Sequence, residues 1–241
     1  MSLLAGLTRT ASRALGGLTL DLSSGLARAG EAARAAIAGE TIGPATLRVS
    51  VLILSDEAGR PLTTPEAMTP ALDLAGAVLT AESGIRVRLT GIQVIDEPAP
   101  ARALDPRANR RLLLDDVLGR TEFYRRHSAP VDLSSAVVGA PITVIVVRNI
   151  AGRVTGCSLG ISADWVIVQS SLFDRHQPLT YDETVLAHEL GHALNLPHIK
   201  DRQNLMFPAS SPPGDMRGTK LQAWQTAILQ SNRHVVPGVA R

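Results

Sequence analysis

Three histidines and a glutamate occur in this chain at a spacing that restricts how their segment can fold. The segment reads HELGHALNLPH and spans residues 188–198. On a helix, residues four apart lie on the same face, so His188 and His192 can bind one ion, with Glu189 close enough to act on a water beside it. If the chain turns back after the helix, His198 reaches the same ion. Three protein ligands that leave a fourth position open are typical of catalytic Zn²⁺ sites.

The ends of this helix can be predicted from its own residues. Thr180 and Glu183 have the spacing of a capping box, which predicts a helix that begins at about residue 181. After glycine, Asn195 is the residue that best tolerates the left-handed conformation that closes a helix, and Pro197 cannot continue one. We therefore expect a helix over 181–194 that leaves through Asn195.

These residues resemble the metzincin clan of zinc metalloproteases, whose pattern is HExxHxxGxxH followed by a turn that contains methionine. The resemblance covers the three histidines, the glutamate and Met206, which lies in the segment NLMFP at residues 204–208, and the motifs are matrixin-like in style. Asn195 stands where the clan has glycine. Pro208 stands where many astacin- and serralysin-like members have a tyrosine, so no such tyrosine is expected here.

The resemblance implies a zinc-dependent endopeptidase that hydrolyses peptide bonds of proteins, with Glu189 as the catalytic general base. The Zn²⁺ ligands that it implies are His188, His192 and His198. A protein or peptide substrate is expected to bind in extended form along an edge strand, for which residues 156–160 are the candidate. A glycine-rich turn is the equal alternative for those residues. Thr184 and residues 209–214 are expected to shape the specificity pocket.

A second class of function stays open. A peptide-binding or toxin/effector module with weak catalysis would keep the metal ligands. Binding alone does not need a general base, however, and Glu189 therefore favours the enzyme. An aminopeptidase would need an acidic residue for the substrate amine, and the sequence does not place one.

Composition agrees with an enzyme domain and argues against other classes. The chain has 241 residues, of which 45% are hydrophobic, enough for a sizeable core. A net charge of +2 and 3% aromatic residues give no basis for nucleic-acid binding. One cysteine excludes an internal disulfide framework, and no apolar run approaches the roughly 20 residues of a transmembrane segment. The remaining histidines are expected at the surface or in the core: His127, His176 and His234.

The order of predicted elements resembles the metzincin fold. We expect an α+β domain over 45–241 with a twisted mixed sheet of about four to five strands, two long helices behind it and a small C-terminal subdomain that ends in a helix. Residues 97–135 are interpreted as an insertion with a short helix near 109–119. The other predicted elements are a strand over 46–54, a helix that begins at Thr64 or Thr69 and ends at Gly84, a strand over 87–94 with a bulge at Gly91, strands over 142–147 and 165–169, and a helix over 219–233.

Residues 1–44 are predicted to be a helical extension of unknown role, on which the core does not depend. Leu4 and Leu7 belong to a weakly apolar face, with Arg9 and Arg13 opposite. The favoured interpretation is a helix packed on the domain or partly disordered; a propeptide and an export segment are the alternatives. The segment lacks the features of a secretory signal peptide. The family resemblance favours an exported protein, by a route that needs no such peptide.

Overall fold

A mixed β-sheet lies at the centre of the fold. Its strands are β1 (Ala45–Ile53), β2 (Ile85–Val94), β3 (Ile142–Val147), β4 (Gly156–Ser158), β5 (Trp165–Gln169) and β6 (Val235–Val236). They lie in the order β2-β1-β3-β5-β4, and β6 pairs with β1. β4 and β6 are antiparallel to their neighbours, whereas the other pairs are parallel. The structure, a computed structural model, describes residues 3–98, 112–128, 139–150, 156–160, 163–177, 179–208 and 216–238.

Helices cover both faces of the sheet. They are α1 (Leu3–Ala38), α2 (Pro65–Ser83), α3 (Leu112–Val117), α4 (Glu122–His127), α5 (Val185–Ala193) and α6 (Ala223–Gln230). Buried side chains of α2 and α5, among them Leu79 and Leu190, pack on one face, and Phe123 and Tyr124 of α4 pack near Trp165 on the other. Every residue of β3 is buried as a result, which explains its continuous apolar sequence. The predicted α+β fold class is confirmed; of its two backing helices, α2 has 19 residues and α5 has 9.

Local sequence signals account for the first β-α-β unit. The Thr64 side chain caps α2 by accepting a hydrogen bond from a backbone N–H of its first turn, and the helix ends at Gly84, whose φ is 68°. The register between β1 and β2 shifts where Leu89 is followed by Gly91 in the pairing, so Thr90 is the extra residue of a bulge. The predictions of this cap, this helix end and a bulge at this point are confirmed.

The predicted start of α5 is wrong. The helix begins at Val185, not at residue 181. The Thr180 hydroxyl donates to backbone carbonyls outside the helix, so it does not act as a cap. The Asp182 carboxylate instead accepts hydrogen bonds from the backbone N–H and the hydroxyl of Thr184, and it holds the residues before the helix in a turn.

The last helix differs from its predicted range of 219–233 at both ends, since α6 is shorter and the chain continues into β6. Its buried residues are Gln225 and Leu229, whereas Trp224 is exposed. Gln225 is buried because its side-chain amide exchanges hydrogen bonds with the side chain of Asn204.

α1 is one continuous helix whose apolar face is turned outward. Leu4 and Leu7 are exposed. Arg9 and Arg13, predicted opposite the apolar face, face the domain and pair with Glu122. The residues that α1 buries are small: Gly6, Thr10, Gly17, Ser24 and Ala35. The division of the chain into an extension and a catalytic domain stays a prediction, but α1 has specific polar partners in the rest of the chain.

The predicted insertion at 97–135 contains α3 and α4. The helix predicted near 109–119 overlaps α3, while residues 99–111 and 129–138 lie outside the described residues. Across the described ranges, no helix combines the length and the apolar character needed to cross a membrane.

Candidate metal centre and active site

α5 and the turn after it bring three histidines together. His188 and His192 lie one helical turn apart, with ring centroids 4.6 Å from each other. One ring nitrogen from each of these and from His198 lies within 4.8 Å of the others. The Nε2 atoms of His192 and His198 are 3.0 Å apart. Two nitrogens bound to one tetrahedral zinc at about 2.0–2.1 Å lie roughly 3.3 Å apart, so the donor set fits this metal.

Backbone carbonyls fix the orientation of both helix histidines. Nδ1 of His188 lies 2.7 Å from the carbonyl oxygen of Leu205, and Nδ1 of His192 lies 2.8 Å from that of Leu196. Because a carbonyl only accepts, each Nδ1 carries the proton and each Nε2 presents its lone pair to the group of histidines. Both hydrogen-bond acceptors are backbone carbonyl oxygens, so a motif of side chains could not predict them.

Burial keeps these rings in the form that binds metals. It lowers the pKa of His188 to about 2 and the pKa of His192 to about 4, and it lowers the pKa of His198 as well. The rings are therefore neutral near pH 7, as metal coordination requires. The site residues come together as predicted, while their role as zinc ligands stays a prediction.

The turn that returns His198 depends on Asn195. Its φ is 72°, the only positive value for a residue other than glycine within the described part of the chain. Leu196 N–H donates to the carbonyl of Gly191, which closes α5 in the manner of a left-handed cap. The side-chain amide of Asn195 donates to the carboxylate of Asp21, 2.7 Å away. The predicted left-handed residue is confirmed, and its anchor on α1 is new.

Met206 lies directly beneath α5. Its side chain is buried, and a Cβ built on Gly191 would lie 2.6 Å from its Sδ. Its backbone N–H donates to the side chain of Asn204, and its carbonyl accepts from the N–H of Ile199, next to the third histidine. Met206 therefore forms an apolar floor, while the backbone of its turn holds the segment that carries His198.

The side chain of Glu189, on α5, is buried against Gly156, the first residue of β4. A Cβ at Gly156 would lie 2.5 Å from its carboxyl carbon, so only glycine leaves room for this carboxylate. Burial raises the pKa of Glu189 to about 8, and the Arg217 guanidinium acts in the opposite direction, as a bound metal cation would. Among the described residues, no donor reaches its Oε2 atom. One oxygen of this carboxylate is thus buried without a hydrogen-bond partner among the described residues.

An ion pair behind the site was missed by the sequence analysis. Arg217 and Asp182 are both buried, and Nη2 of Arg217 lies 3.3 Å from Oδ2 of Asp182. Nη1 of Arg217 donates to the carbonyl of Phe207. The guanidinium also lowers the pKa of His188, after the larger effect of burial. The two residues lie 35 positions apart, a separation at which no local motif links them.

The candidate substrate-binding residues have mixed outcomes. Residues 156–158 form β4, an edge strand of the sheet, rather than a turn. Thr184 is buried and its hydroxyl donates to Asp182, so it offers no free polar group to a pocket. Residues 209–214 lie outside the described ranges.

The other histidines do not join the group. Nδ1 of His127 lies 2.9 Å from the carbonyl of Phe123, and Nδ1 of the buried His234 lies 2.8 Å from that of Ala140. His176 is exposed. Their predicted places, in the core or at the surface, agree with the structure.

Comparison with known proteins agrees with this geometry. The matrixin family model matches residues 156–227, which include α5, His198 and Met206. The chain resembles the metzincin zinc metalloproteases. It also has the fold of metalloproteinase-II from Bacteroides fragilis, with 18% identity and a TM-score of 0.51, over 79% of this chain and 54% of that one. The chain thus spans about half the length of that metalloproteinase.

Two further solved structures are similar at lower TM-scores. Archaemetzincin from Methanopyrus kandleri has 17% identity and a TM-score of 0.46, over 77% of this chain and 94% of that one. A chain of a chaperone–substrate complex has 13% identity and a TM-score of 0.48, over 80% and 35% of the two chains. No curated protein sequence matches significantly. The matrixin match and the metalloproteinase fold support a zinc metallopeptidase.

Proposed function

We propose that this chain is a zinc-dependent endopeptidase that hydrolyses peptide bonds of proteins. The proposal rests on one observation: three neutral histidines converge beside a buried carboxylate, one oxygen of which has no hydrogen-bond partner among the described residues. A structural zinc site would be closed by a fourth protein ligand, whereas within the described residues this group has three. The open position is where a hydrolytic site places its water and its substrate.

Each residue has a distinct part in the proposed mechanism. Zinc held by the three histidines would polarise a water and the scissile carbonyl. Glu189 takes the proton of that water and then delivers it to the leaving amine nitrogen. Gly156 leaves the space that this carboxylate needs, and Arg217 supplies a positive charge behind it.

The edge strand gives the substrate its orientation. β4 pairs with β5 on one side, and no described strand pairs with its other side. A peptide in extended form that adds there gains main-chain hydrogen bonds along several residues, on both sides of the scissile bond. Recognition on both sides favours an endopeptidase over an enzyme that needs a free terminus.

The alternative is a metal-containing module that binds peptides or acts as an effector, with weak catalysis. The burial of Glu189 argues against it, because a buried carboxylate without a chemical role destabilises the fold. Purified wild type that holds zinc and retains peptides without cleaving them would favour this module over the enzyme.

The test is incubation with a peptide library, with and without a zinc chelator, and identification of cleavage sites by mass spectrometry. We expect internal cleavage that the chelator abolishes. Glu189→Ala should retain one zinc and the fold while losing about 10²–10⁴ in rate. Glu66→Ala, at an exposed site on α2, is the matched control. Cleavage that survives chelation, or normal turnover by Glu189→Ala, would overturn the proposal. Full zinc retention by His192→Ala would also contradict it.

A further inference from the structure

Apolar residues recur along α1 at an interval that forms a straight stripe. Leu4, Leu15, Leu26 and Ile37 are separated by 11 residues each. Eleven residues complete three turns at about 3.67 residues per turn, close to the 3.6 of an α-helix, so the stripe stays nearly parallel to the helix axis. The complete stripe is Leu4, Leu7, Ala11, Leu15, Leu18, Leu22, Leu26 and Ile37.

This stripe points away from the domain, and α1 cannot rotate to bury it. Its six leucines are between 45% and 76% exposed. The opposite side packs closely, since a Cβ on Gly6 would overlap the carbonyl group of Val117. The Thr10 hydroxyl donates to Asp116, at 2.6 Å, from the same side. Turning the leucines inward would force large side chains into this contact.

The charged residues of α1 that precede Glu31 are all turned away from the stripe. Arg13 pairs with Glu122, and Arg28 donates to the carbonyl of Val235. The exposed residues of α1 up to residue 29 are consequently all uncharged. Helices that lie on membranes carry Lys or Arg at the headgroups, which this face does not offer. The surface chemistry therefore favours a protein helix over a lipid surface.

The outward face is complementary to itself. A second row of exposed small residues runs beside the leucines with the same 11-residue interval. This row is Thr8, Ser12, Gly16, Thr19, Ser23 and Ala27. Side-chain ridges of one helix pack into the grooves of another, and a second copy of α1 offers both the ridge and the groove. Such a surface can form a two-fold, isologous interface.

We propose that α1 is a dimerisation helix, which pairs through this stripe with α1 of a second copy of this chain. From Leu4 to Ile37 the stripe is about 50 Å long, and a helix is about 10 Å wide. Each copy therefore buries on the order of 500 Å², and the pair about 1,000 Å², which reaches the size of a specific interface. Because the stripe faces away from the domain, the two domains lie on opposite sides of the helix pair.

The first test is the molar mass of the full chain in solution, measured by light scattering at about 10–100 µM, the range of moderate dimer affinities. We expect twice the monomer mass of 25.5 kDa. Leu15→Glu combined with Leu18→Glu should give the monomer with unchanged circular dichroism. Leu179→Glu changes a leucine that is 84% exposed outside α1, and it should remain dimeric. A monomeric wild type, or a double variant that stays dimeric, would overturn the proposal.

Cross-linking provides a test that does not depend on the charged variants. In a Cys157→Ala background, Leu22→Cys lies near the middle of the stripe, where the two copies of one residue come close in either helix orientation. It should form an intermolecular disulfide under mild oxidation, whereas Leu179→Cys should not. Vesicles of neutral and of anionic lipid address the other surface. Leucine-dependent binding of a monomer to either kind of vesicle would assign the stripe to a membrane and contradict a dimer.

Discussion

The carboxylate of Asp21 accepts a hydrogen bond of 2.7 Å from the side-chain amide of Asn195. Asp21 lies in the middle of α1, and Asn195 is the residue with positive φ that ends α5. The other oxygen of the carboxylate accepts from the backbone N–H of Arg233, at 2.8 Å. The helix at the start of the chain thus holds the turn from which His198 returns to the group of histidines.

Asp21→Ala should loosen the zinc site as well as the fold. Loss of a hydrogen bond to a charged group lowers the free energy of unfolding by about 1.5–3 kcal/mol. We also expect zinc to transfer faster to a competing chelator, because the turn that carries His198 loses its anchor. Asp73→Ala, at an exposed site on α2, is the control. Zinc transfer at the wild-type rate would show that Asp21 stabilises the fold without positioning the ligand.

Substitutions at Asn195 separate the anchor from the backbone conformation. Asn195→Gly keeps the left-handed turn and loses only the bond to Asp21, so it should speed zinc transfer but cost less stability than Asp21→Ala, which also loses the bond from Arg233. The double variant should be little worse than Asp21→Ala alone, because that change already removes the bond to Asn195. Asn195→Val should cost a further 1–2 kcal/mol or so, since a β-branched residue is strained at positive φ. Equal stability of the valine and glycine variants would contradict the strain.

Gly156→Ala should impair cleavage while zinc stays bound. The new methyl group would lie 2.5 Å from the carboxyl carbon of Glu189 and must displace it. We expect the rate of peptide cleavage to fall by about 10²-fold, as for a misplaced catalytic group. Gly76→Ala, where the nearest atom lies 4.0 Å away on Val87, is the matched control. Normal cleavage by Gly156→Ala would mean that Glu189 works from another position.

Asp116 should make the contact of α1 sensitive to acid. Burial acts to raise the pKa of this carboxyl, but hydrogen bonds from Thr10, Thr121 and Arg125 outweigh it, and the net pKa is lowered. A depressed pKa in the folded state stabilises the fold above the unfolded value of about 3.9, and this contribution is lost as pH falls toward the folded pKa.

Asp116→Asn tests this pH dependence. Removing one partner of a buried ion pair costs about 3–5 kcal/mol near neutral pH. The difference in melting temperature between the variant and wild type should therefore be largest near pH 7 and shrink below about pH 4. Asp73→Asn should track wild type throughout. A difference that is constant from pH 7 to about pH 3 would contradict the assigned linkage.

Removal of residues 1–40 was expected from the sequence to leave a folded, zinc-bound domain, and the structure changes this expectation. The truncation removes Thr10, which donates a hydrogen bond to Asp116. It also removes Asp21, which accepts hydrogen bonds from Asn195 and Arg233. We expect a lower melting temperature and faster zinc transfer than in the full chain. An unchanged melting temperature would restore the original expectation of an independent extension.

Much of the site could be predicted because its signals are local. The helical spacing of His188 and His192, and the left-handed tolerance of Asn195, depend on residues within one or two turns of each other. The buried strand β3 follows from its composition in the same way. Such signals need no knowledge of the rest of the chain.

The misjudged elements depend on distant partners. Asp182 was assigned to the first turn of a helix, but it pairs with Arg217 and holds a turn instead. The sequence of α1 predicts an apolar side but does not indicate which side of the helix faces the domain. The small residues allow closer contact with the domain, however, and Arg13 finds Glu122, which lies 109 positions away. The periodicity of hydrophobic residues cannot predict that Asp182 pairs with Arg217 or that Arg13 pairs with Glu122.

The 174 positions between Asp21 and Asn195 also set an order in time. At roughly 5–20 residues per second, a ribosome makes Asn195 about 10–35 s after Asp21, and Arg217 and Arg233 follow later still. Until Arg217 is made, Glu189 lacks the charge behind it, and until Arg233 is made, Asp21 lacks the backbone N–H that bonds to it in the folded chain. While the chain is being synthesised and is still unfolded, its own site is therefore incomplete. The proposed peptidase reaches its full geometry only after it has folded and no longer offers itself as a substrate.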